Sequence, residues 1–79
     1  METFQDRAEI HRHGSLLRSV ADDTASAADR LERRVNAAGL QGPAADRLRA
    51  TASEQAGRLR QIAADLRDLA DIVLQGAAQ

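Results

Sequence analysis

Apolar residues recur every three and four positions through the second half of the chain, which is the spacing of one face of a helix. We label the recurring positions a, d and e of a seven-residue repeat that begins at Ala45. The repeat predicts a helix over about residues 43–75. Its a and d positions are Ala45, Leu48, Ala52, Gln55, Leu59, Ile62, Leu66, Leu69 and Val73. Its e positions include Ala56, Ala63 and Ala70.

The first half of the chain carries the same repeat and predicts a helix over about residues 4–37. Its a and d positions are Ile10, His13, Leu17, Val20, Thr24, Ala27 and Leu31. Its e positions are Gly14, Ala21, Ala28 and Val35. Glycine inside a helix costs about 1 kcal/mol relative to alanine. We therefore expect either a kink at Gly14 or a rigid helix that begins at Ser15.

Between the two repeats, one short segment carries the chemistry of a turn. Gly39 suits the left-handed position that ends a helix, and Pro43 suits the first turn of the next one. Gly76 is expected to end the second helix. A turn this short makes the helices antiparallel neighbours. The sequence thus predicts an all-α fold, an antiparallel two-helix hairpin in one domain over residues 1–79, with a turn at 38–43 and a tail at 76–79.

The apolar stripe is wider than one neighbouring helix can cover. Positions a and d together satisfy one partner helix, and the e positions widen the stripe to that of a bundle helix. We therefore expect a second hairpin to cover the remainder and complete a four-helix bundle by dimerisation. The predicted partner interface comprises Ile10, Leu17, Val20, Leu31, Leu48, Leu59, Ile62, Leu66, Leu69 and Val73.

The apolar residues are unevenly distributed along the hairpin. Folding the chain about Gln41 would place residues whose numbers sum to about 82 side by side. The large aliphatic residues then lie toward the chain termini and the small ones lie nearer the turn. Leu16, Ile72 and Leu74 fall off the main stripe, which indicates that the terminal half contacts more than one neighbour.

Composition argues against several classes of protein. The 79 residues include 11 basic residues, all of them arginine, and 12 acidic residues that alternate with them. This balance argues against a polyanion-binding protein and against a membrane-surface helix. No apolar run approaches the roughly 20 residues of a membrane span, and the N-terminus lacks the apolar stretch of a Sec signal peptide. We expect no membrane span and a cytoplasmic location.

Metal binding and catalysis lack candidate residues. The chain has no cysteine, so it has no thiolate ligand. His11 and His13 would point about 200° apart on a helix, so they cannot hold one ion together. The carboxylates fall on solvent faces, and two long helices offer no pocket. We therefore predict no metal site, no cofactor, no small-molecule ligand and no enzymatic activity.

The turn motif of Leu40, Gly42 and Pro43, with the residues that follow it up to Leu48, resembles the bend of the WXG superfamily. These are small helical hairpins exported by type VII (ESX) secretion systems. Leu40 stands where the family has Trp, Gly42 matches the glycine of its Trp-x-Gly motif, and Leu48 stands where an aromatic or aliphatic residue is common. The likeness in length, topology and alanine-rich repeats covers about residues 10–75.

The resemblance implies a partner rather than a chemical reaction. In family pairs one member commonly carries the secretion signal for both, a Tyr followed four residues later by an acidic residue. This chain has no tyrosine. By that likeness it is an escort for another hairpin, or for the helical N-terminal region of a larger toxin, and is either exported with it or retained as its chaperone. We expect a heterodimer with a different chain, and a homodimer is the other arrangement.

Two other functions stay open on the sequence. One is a cytoplasmic helical dimerisation or antitoxin-like module that neutralises a partner. The other is a small nucleic-acid-associated regulator that uses the arginines around the turn. We do not expect nucleic acid as a partner, because the chain lacks an aromatic stacking platform and pairs such as Asp29–Arg33 and Glu54–Arg58 would neutralise much of the charge. The arginines in question are Arg30, Arg33, Arg34, Arg47 and Arg49.

Overall fold

A computed structural model describes the backbone of residues 4–78 and the side chains of residues 5–77. Two helices, α1 (Phe4–Ala37) and α2 (Pro43–Ala78), are joined by residues 38–42. No strand occurs within the described range. The predicted all-α hairpin is therefore confirmed. The two helices form a rod that measures 63 × 15 × 11 Å between its Cα extremes.

Two glycines in left-handed conformations reverse the chain between the helices. Gly39 has φ of 66° and Gly42 has φ of 101°, values that side-chain-bearing residues rarely adopt. Pro43 begins α2, where its missing N–H is not required. The Asp46 N–H donates to the Gly42 carbonyl at 3.0 Å, which closes the first turn of α2. The left-handed Gly39 and the first-turn Pro43 are thus confirmed.

Arg49 connects the turn to the start of α2. Its guanidinium donates to the Leu40 carbonyl oxygen and, at 3.0 Å, to the Asp46 carboxylate. One arginine of the turn cluster therefore has a structural role within the hairpin itself. The Leu40 side chain is not part of that contact and is 48% exposed.

Both helices are more continuous than the sequence suggested. α2 runs through Gly76 to Ala78, so the predicted tail at 76–79 is wrong as far as residue 78. α1 runs unbroken through Gly14, so the helix does not begin at Ser15. A Cβ atom on Gly14 would lie 2.6 Å from Leu74 side-chain carbons. An added Cβ would displace the Leu74 side chain, so glycine at this position leaves room for a contact between the helices.

The two helices pack against each other through their a and e positions, and the d positions lie outside this contact. The e rows are small and buried from Gly14 to Ala28 and from Ala56 to Ala70, whereas the large residues of the a rows are only half-buried. Small e residues allow the helix backbones to approach, and this places the d positions beside the contact. The buried alanines are Ala21, Ala28, Ala45, Ala52, Ala56, Ala63 and Ala70. The half-buried a residues include Ile10, Leu17, Leu31, Leu59, Leu66 and Val73.

The side chains that meet across the hairpin are offset from the predicted register. Three ion pairs, Arg18–Asp71, Asp22–Arg67 and Asp29–Arg60, each have residue numbers that sum to 89, well above the value expected from folding at Gln41. Side chains lean toward the N-terminus of their own helix. In an antiparallel pair this leaning joins each α1 residue to an α2 residue farther along the chain, which raises the sum.

The alanine contact between the helices can be tested by enlarging one buried side chain. Ala63 is fully buried and its neighbour Ala64 is exposed, so Ala63→Leu and Ala64→Leu form a matched pair. We expect Ala63→Leu to lower the free energy of unfolding by about 1–3 kcal/mol, because a leucine there forces the helices apart. The control should change it by less than about 0.5 kcal/mol in denaturant titrations. Equal effects would show that Ala63 does not lie at the contact.

Candidate partner-binding surface

The hairpin leaves its large aliphatic side chains incompletely covered. Among residues 5–77, the buried positions are alanines and Gly14, and no Leu, Ile or Val is buried. Burial of a large aliphatic side chain contributes about 1.5–3 kcal/mol, far more than burial of an alanine methyl group. Much of the hydrophobic driving force encoded in this chain is therefore unused within the hairpin.

The two broad faces of the rod carry different positions of the repeat. Successive helical residues rotate by about 100°, so d and g lie on one side of the a and e rows, and b and f lie on the other. A half-turn about an axis perpendicular to the plane of the two helices exchanges the antiparallel helices and leaves each broad face on its own side. The d and g positions of both helices therefore share one face, and the b and f positions share the opposite one.

One broad face is apolar. Large aliphatic side chains that are 42% to 66% exposed occupy d or g positions on both helices. They are Leu16, Val20, Leu48, Ile62, Leu69 and Ile72, and we call them the apolar face. The exposed Gln55 separates Leu48 from Ile62 along α2. The apolar face is consequently densest in the half of the rod nearer the chain termini.

The opposite broad face carries the ion pairs that join α1 to α2. The pairs are Arg18–Asp71 at 2.8 Å, Asp22–Arg67 at 3.1 Å, Asp29–Arg60 at 2.9 Å and Glu32–Arg60. All of these residues occupy b or f positions. Covering this face would remove water from many charges at a large cost in free energy. We call it the ion-pair face, and it is suited to contact with solvent.

The predicted interface residues fall into two groups. The a residues Ile10, Leu17, Leu31, Leu59, Leu66 and Val73 are half-buried between the helices of the hairpin. Four d residues, Val20, Leu48, Ile62 and Leu69, lie on the apolar face. Their role in binding a partner stays a prediction. Leu16 and Ile72 belong to the same face but were absent from the predicted interface. The signal that identifies them is their g position, adjacent to the d row.

The charges near the turn are arranged differently from the predicted pairs. Glu54 and Arg58 do pair within α2, at 3.1 Å. Asp29 forms its ion pair across the hairpin with Arg60, and the expected partner Arg33 acts on it only through its charge. The long arginine side chain on the neighbouring helix reaches Asp29, and pattern analysis within one helix cannot detect this. The hydrogen bond from Arg60 lowers the pKa of Asp29 below its ordinary value of 3.8, with a smaller contribution from the charge of Arg33.

Other kinds of site have little support in the part of the chain that the structure describes. No three His, Asp or Glu side chains there are grouped so as to hold a metal ion. A shallow, open hollow on the ion-pair face is lined by Arg18, Asp71, Leu74 and Gln75. Neither α1 nor α2 contains a stretch long and apolar enough to span a bilayer.

Comparison with known proteins adds no relative. No family model, curated protein or solved structure shows significant similarity to this chain. The functional argument therefore depends on the geometry of the hairpin.

The Asp29–Arg60 pair predicts a specific dependence of stability on pH. Because the pKa of Asp29 is lowered in the folded chain, ionised Asp29 stabilises the hairpin above the unfolded-state pKa near 3.8. This stabilisation is lost as pH falls through the lower, folded-state pKa. Asp29→Asn should therefore lower the melting temperature at neutral pH, and the difference from wild type should vanish in strong acid.

Thermal melts followed by circular dichroism at a series of pH values measure this difference. Glu54→Gln is the control, because Glu54 pairs only within α2 and a pair of that kind contributes little. A difference between wild type and Asp29→Asn that persists unchanged below pH 3 would contradict the assignment of the effect to this carboxylate.

Proposed function

We propose that this chain is an interaction protein whose apolar face packs against a second helical hairpin to form a four-helix bundle. The observation that carries the proposal is the separation of the two faces: large aliphatic side chains lie on one and the interhelical ion pairs on the other. A helix pair with one apolar face resembles half of a bundle. The proposed role is therefore to bind a partner protein, with no catalytic activity.

The dimensions of the apolar face suit such a partner. A face of 63 × 15 Å is comparable with the roughly 800 Å² that each partner buries in a typical protein–protein interface. Six large aliphatic side chains that are about half exposed would each gain part of the 1.5–3 kcal/mol of full burial. A chain of 79 residues without disulfides commonly needs such support for stability.

The turn motif favours one specific version of this function, in which the chain escorts a type VII secretion substrate. In that version the second hairpin belongs to another protein or to the helical N-terminal region of a toxin. Its support is the likeness of Leu40, Gly42 and Leu48 to the WXG bend, together with a left-handed Gly42 at the turn. The proposed location is the cytoplasm, with export only in company with the partner.

Two alternatives use other features of the chain. A dimerisation or antitoxin-like module would use the same apolar face, and a toxin partner without secretion genes nearby would favour it. A nucleic-acid regulator would use the turn arginines. Arg49 is already engaged by Leu40 and Asp46, which weakens that alternative. Binding that disappears with added salt would favour nucleic acid, whereas hydrophobic association persists.

A charge on the apolar face should abolish partner binding without unfolding the hairpin. Leu69 is 47% exposed, so an aspartate there reaches water in the free chain but becomes desolvated against a partner. We expect Leu69→Asp to weaken association at least about tenfold, the equivalent of 1.4 kcal/mol. The matched control is Ala64→Asp, at an exposed f position on the side of the ion-pair face.

Tagged wild-type, Leu69→Asp and Ala64→Asp chains should be purified from the native cell, and the mass of each complex measured. Circular dichroism should show equal helix content for all three. The proposal requires a helical companion that is recovered with wild type and Ala64→Asp and lost with Leu69→Asp. Equal recovery with both variants would refute the assignment to the apolar face.

A further inference from the structure

Charged side chains at g positions border the apolar face, and both edges of the face carry them in the same order. This inference rests on the proposed function, because it names the kind of hairpin that the face binds. Asp23 borders the face on α1 and Asp65 borders it on α2. Seven residues nearer the turn, the corresponding positions are Arg30 and Arg58. We call these four exposed residues the edge charges.

The register of the hairpin places edge charges of the same sign at the same level. Three of the ion pairs between the helices have residue numbers that sum to 89. By that register Asp23 lies within one position of the level of Asp65, and Arg30 lies within one position of the level of Arg58. The face therefore has an acidic level on both edges and a basic level on both edges, about 10 Å nearer the turn.

A second copy with its turn at the same end matches the apolar residues but opposes like charges. In this two-fold arrangement α1 of each copy lies over α2 of the other at an unchanged level. Val20 then meets Leu69 of the other copy, and Ala27 meets Ile62. The acidic edges face acidic edges and the basic edges face basic edges, which gives four repulsions.

A second copy with its turn at the opposite end joins unlike charges but loses the apolar contacts. Each helix then lies antiparallel to its own counterpart, and residues equidistant from the two-fold axis meet. The acidic edges meet the basic edges on both helices when the axis lies at the level of Ala27, midway between the two charged levels. Val20 then lies over Arg34 of the other copy, and Leu69 lies over Gln55.

Moving this axis seven residues toward the chain termini restores apolar contacts at the centre and creates a different conflict. Asp23 then lies within one position of Leu16 of the other copy, and Asp65 lies within one position of Ile72. A carboxylate covered by aliphatic side chains loses hydration without gaining a hydrogen-bond partner. Glu9 meets the basic edge of α1 in return. Apolar and charged contacts are thus satisfied together in none of the three arrangements.

We propose that the occupant of the apolar face is a different helical hairpin, whose edge charges are the reverse of those on this chain. Such a partner is aliphatic where it covers Val20, Ile62 and Leu69, which are 42% to 49% exposed. It is basic opposite the acidic edges and acidic opposite the basic edges. Charges that border an apolar contact commonly select the partner in helical assemblies, both by attraction and by rejection of wrong partners.

A second copy covers the face weakly when this partner is absent. Each arrangement of two copies retains either apolar contacts or unlike charges, and repulsion between exposed edges is screened by salt. The purified chain therefore associates at high concentration. The partner replaces the second copy because it matches the apolar residues and the edge charges at once.

A charge-swapped version of this chain is the probe, because it keeps the apolar residues and reverses the edge charges. The swapped chain carries Asp23→Arg, Arg30→Asp, Arg58→Asp and Asp65→Arg, and its net charge stays at −1. When it pairs with wild type with the turns at the same end, four attractions replace the four repulsions. We expect this mixed dimer to be at least about tenfold tighter than either homodimer at low salt.

The matched control exchanges two charges away from the apolar face. Arg33→Asp/Asp68→Arg alters exposed c positions and also leaves the net charge unchanged. It should bind wild type no more tightly than wild type binds itself. Sedimentation equilibrium with one fluorescently labelled chain measures each dissociation constant, and circular dichroism compares the helix content of the chains.

A second pair of chains applies if the swapped chain loses helix content. Asp23→Arg/Asp65→Arg makes every edge charge basic, and Arg30→Asp/Arg58→Asp makes every edge charge acidic. These two chains should bind each other at least about tenfold more tightly than either binds itself at low salt. Added salt should reduce the advantage of both mixed dimers.

Cross-linking shows whether the mixed dimer uses the apolar face. The chain has no cysteine of its own, so Val20→Cys in wild type should form a disulfide with Leu69→Cys in the swapped chain. A mixed dimer no tighter than the wild-type homodimer, or matched by the c-position control, would overturn the proposal. A wild-type homodimer tighter than the mixed dimer would make a second copy the occupant.

In the native cell, failure of this inference is separable from failure of the proposed function. Arg30→Asp/Arg58→Asp should lose the companion that wild type and the c-position control retain. A companion lost with Leu69→Asp but retained with Arg30→Asp/Arg58→Asp would contradict the charge pattern and leave the apolar face as a binding surface. Equal recovery with Leu69→Asp and Ala64→Asp would contradict both.

Discussion

Close contact between two rows of small residues is the constraint on which the rest of this structure depends. Residues such as Ala28, Ala56 and Ala63 are fully buried because the two helix backbones approach closely along their e positions. This approach gives a well-defined hairpin but buries little apolar area per residue. It also turns the d positions out of the contact. The hydrophobic side chains that would form the core of a larger helical protein are therefore left on the surface.

The ion-pair face and the apolar face lie on opposite sides of the hairpin, so only one broad face is suited to packing against a partner. Ion pairs across one face stabilise the relative position of α1 and α2 while remaining in contact with water, as Asp29 and Arg60 illustrate. The other face has no comparable network among its aliphatic d residues and has more to gain from dehydration. The proposed assembly through the apolar face would leave the ion pairs hydrated.

Much of the fold could be predicted from the sequence, because the repeat and the Gly39–Pro43 turn are local signals. The division of the stripe could not be predicted, since positions d and e lie three and four residues from a on either side of it, and only the packing of the alanines decides which of them closes the hairpin. Gly14 is a second position where a local signal is not enough. Its low helix propensity predicts a weak point in α1, whereas the space that it leaves for Leu74 of α2 is seen only in the structure. The Asp29–Arg60 pair depends on the stagger of the helices, which a short turn does not determine. The d residues of the apolar face follow from the repeat; Leu16 and Ile72 lie off the predicted stripe, and their exposure beside the d row places them on the same face.

The concentration dependence of thermal unfolding tests most directly whether this alanine-closed hairpin is completed by a second one. If association stabilises the folded chain, the melting temperature must rise with chain concentration, because mass action favours the associated state. We predict such a rise, together with a native mass above the 8.5 kDa of one chain. A constant melting temperature and a mass of 8.5 kDa across a wide concentration range, with no companion recovered from the native cell, would contradict the account.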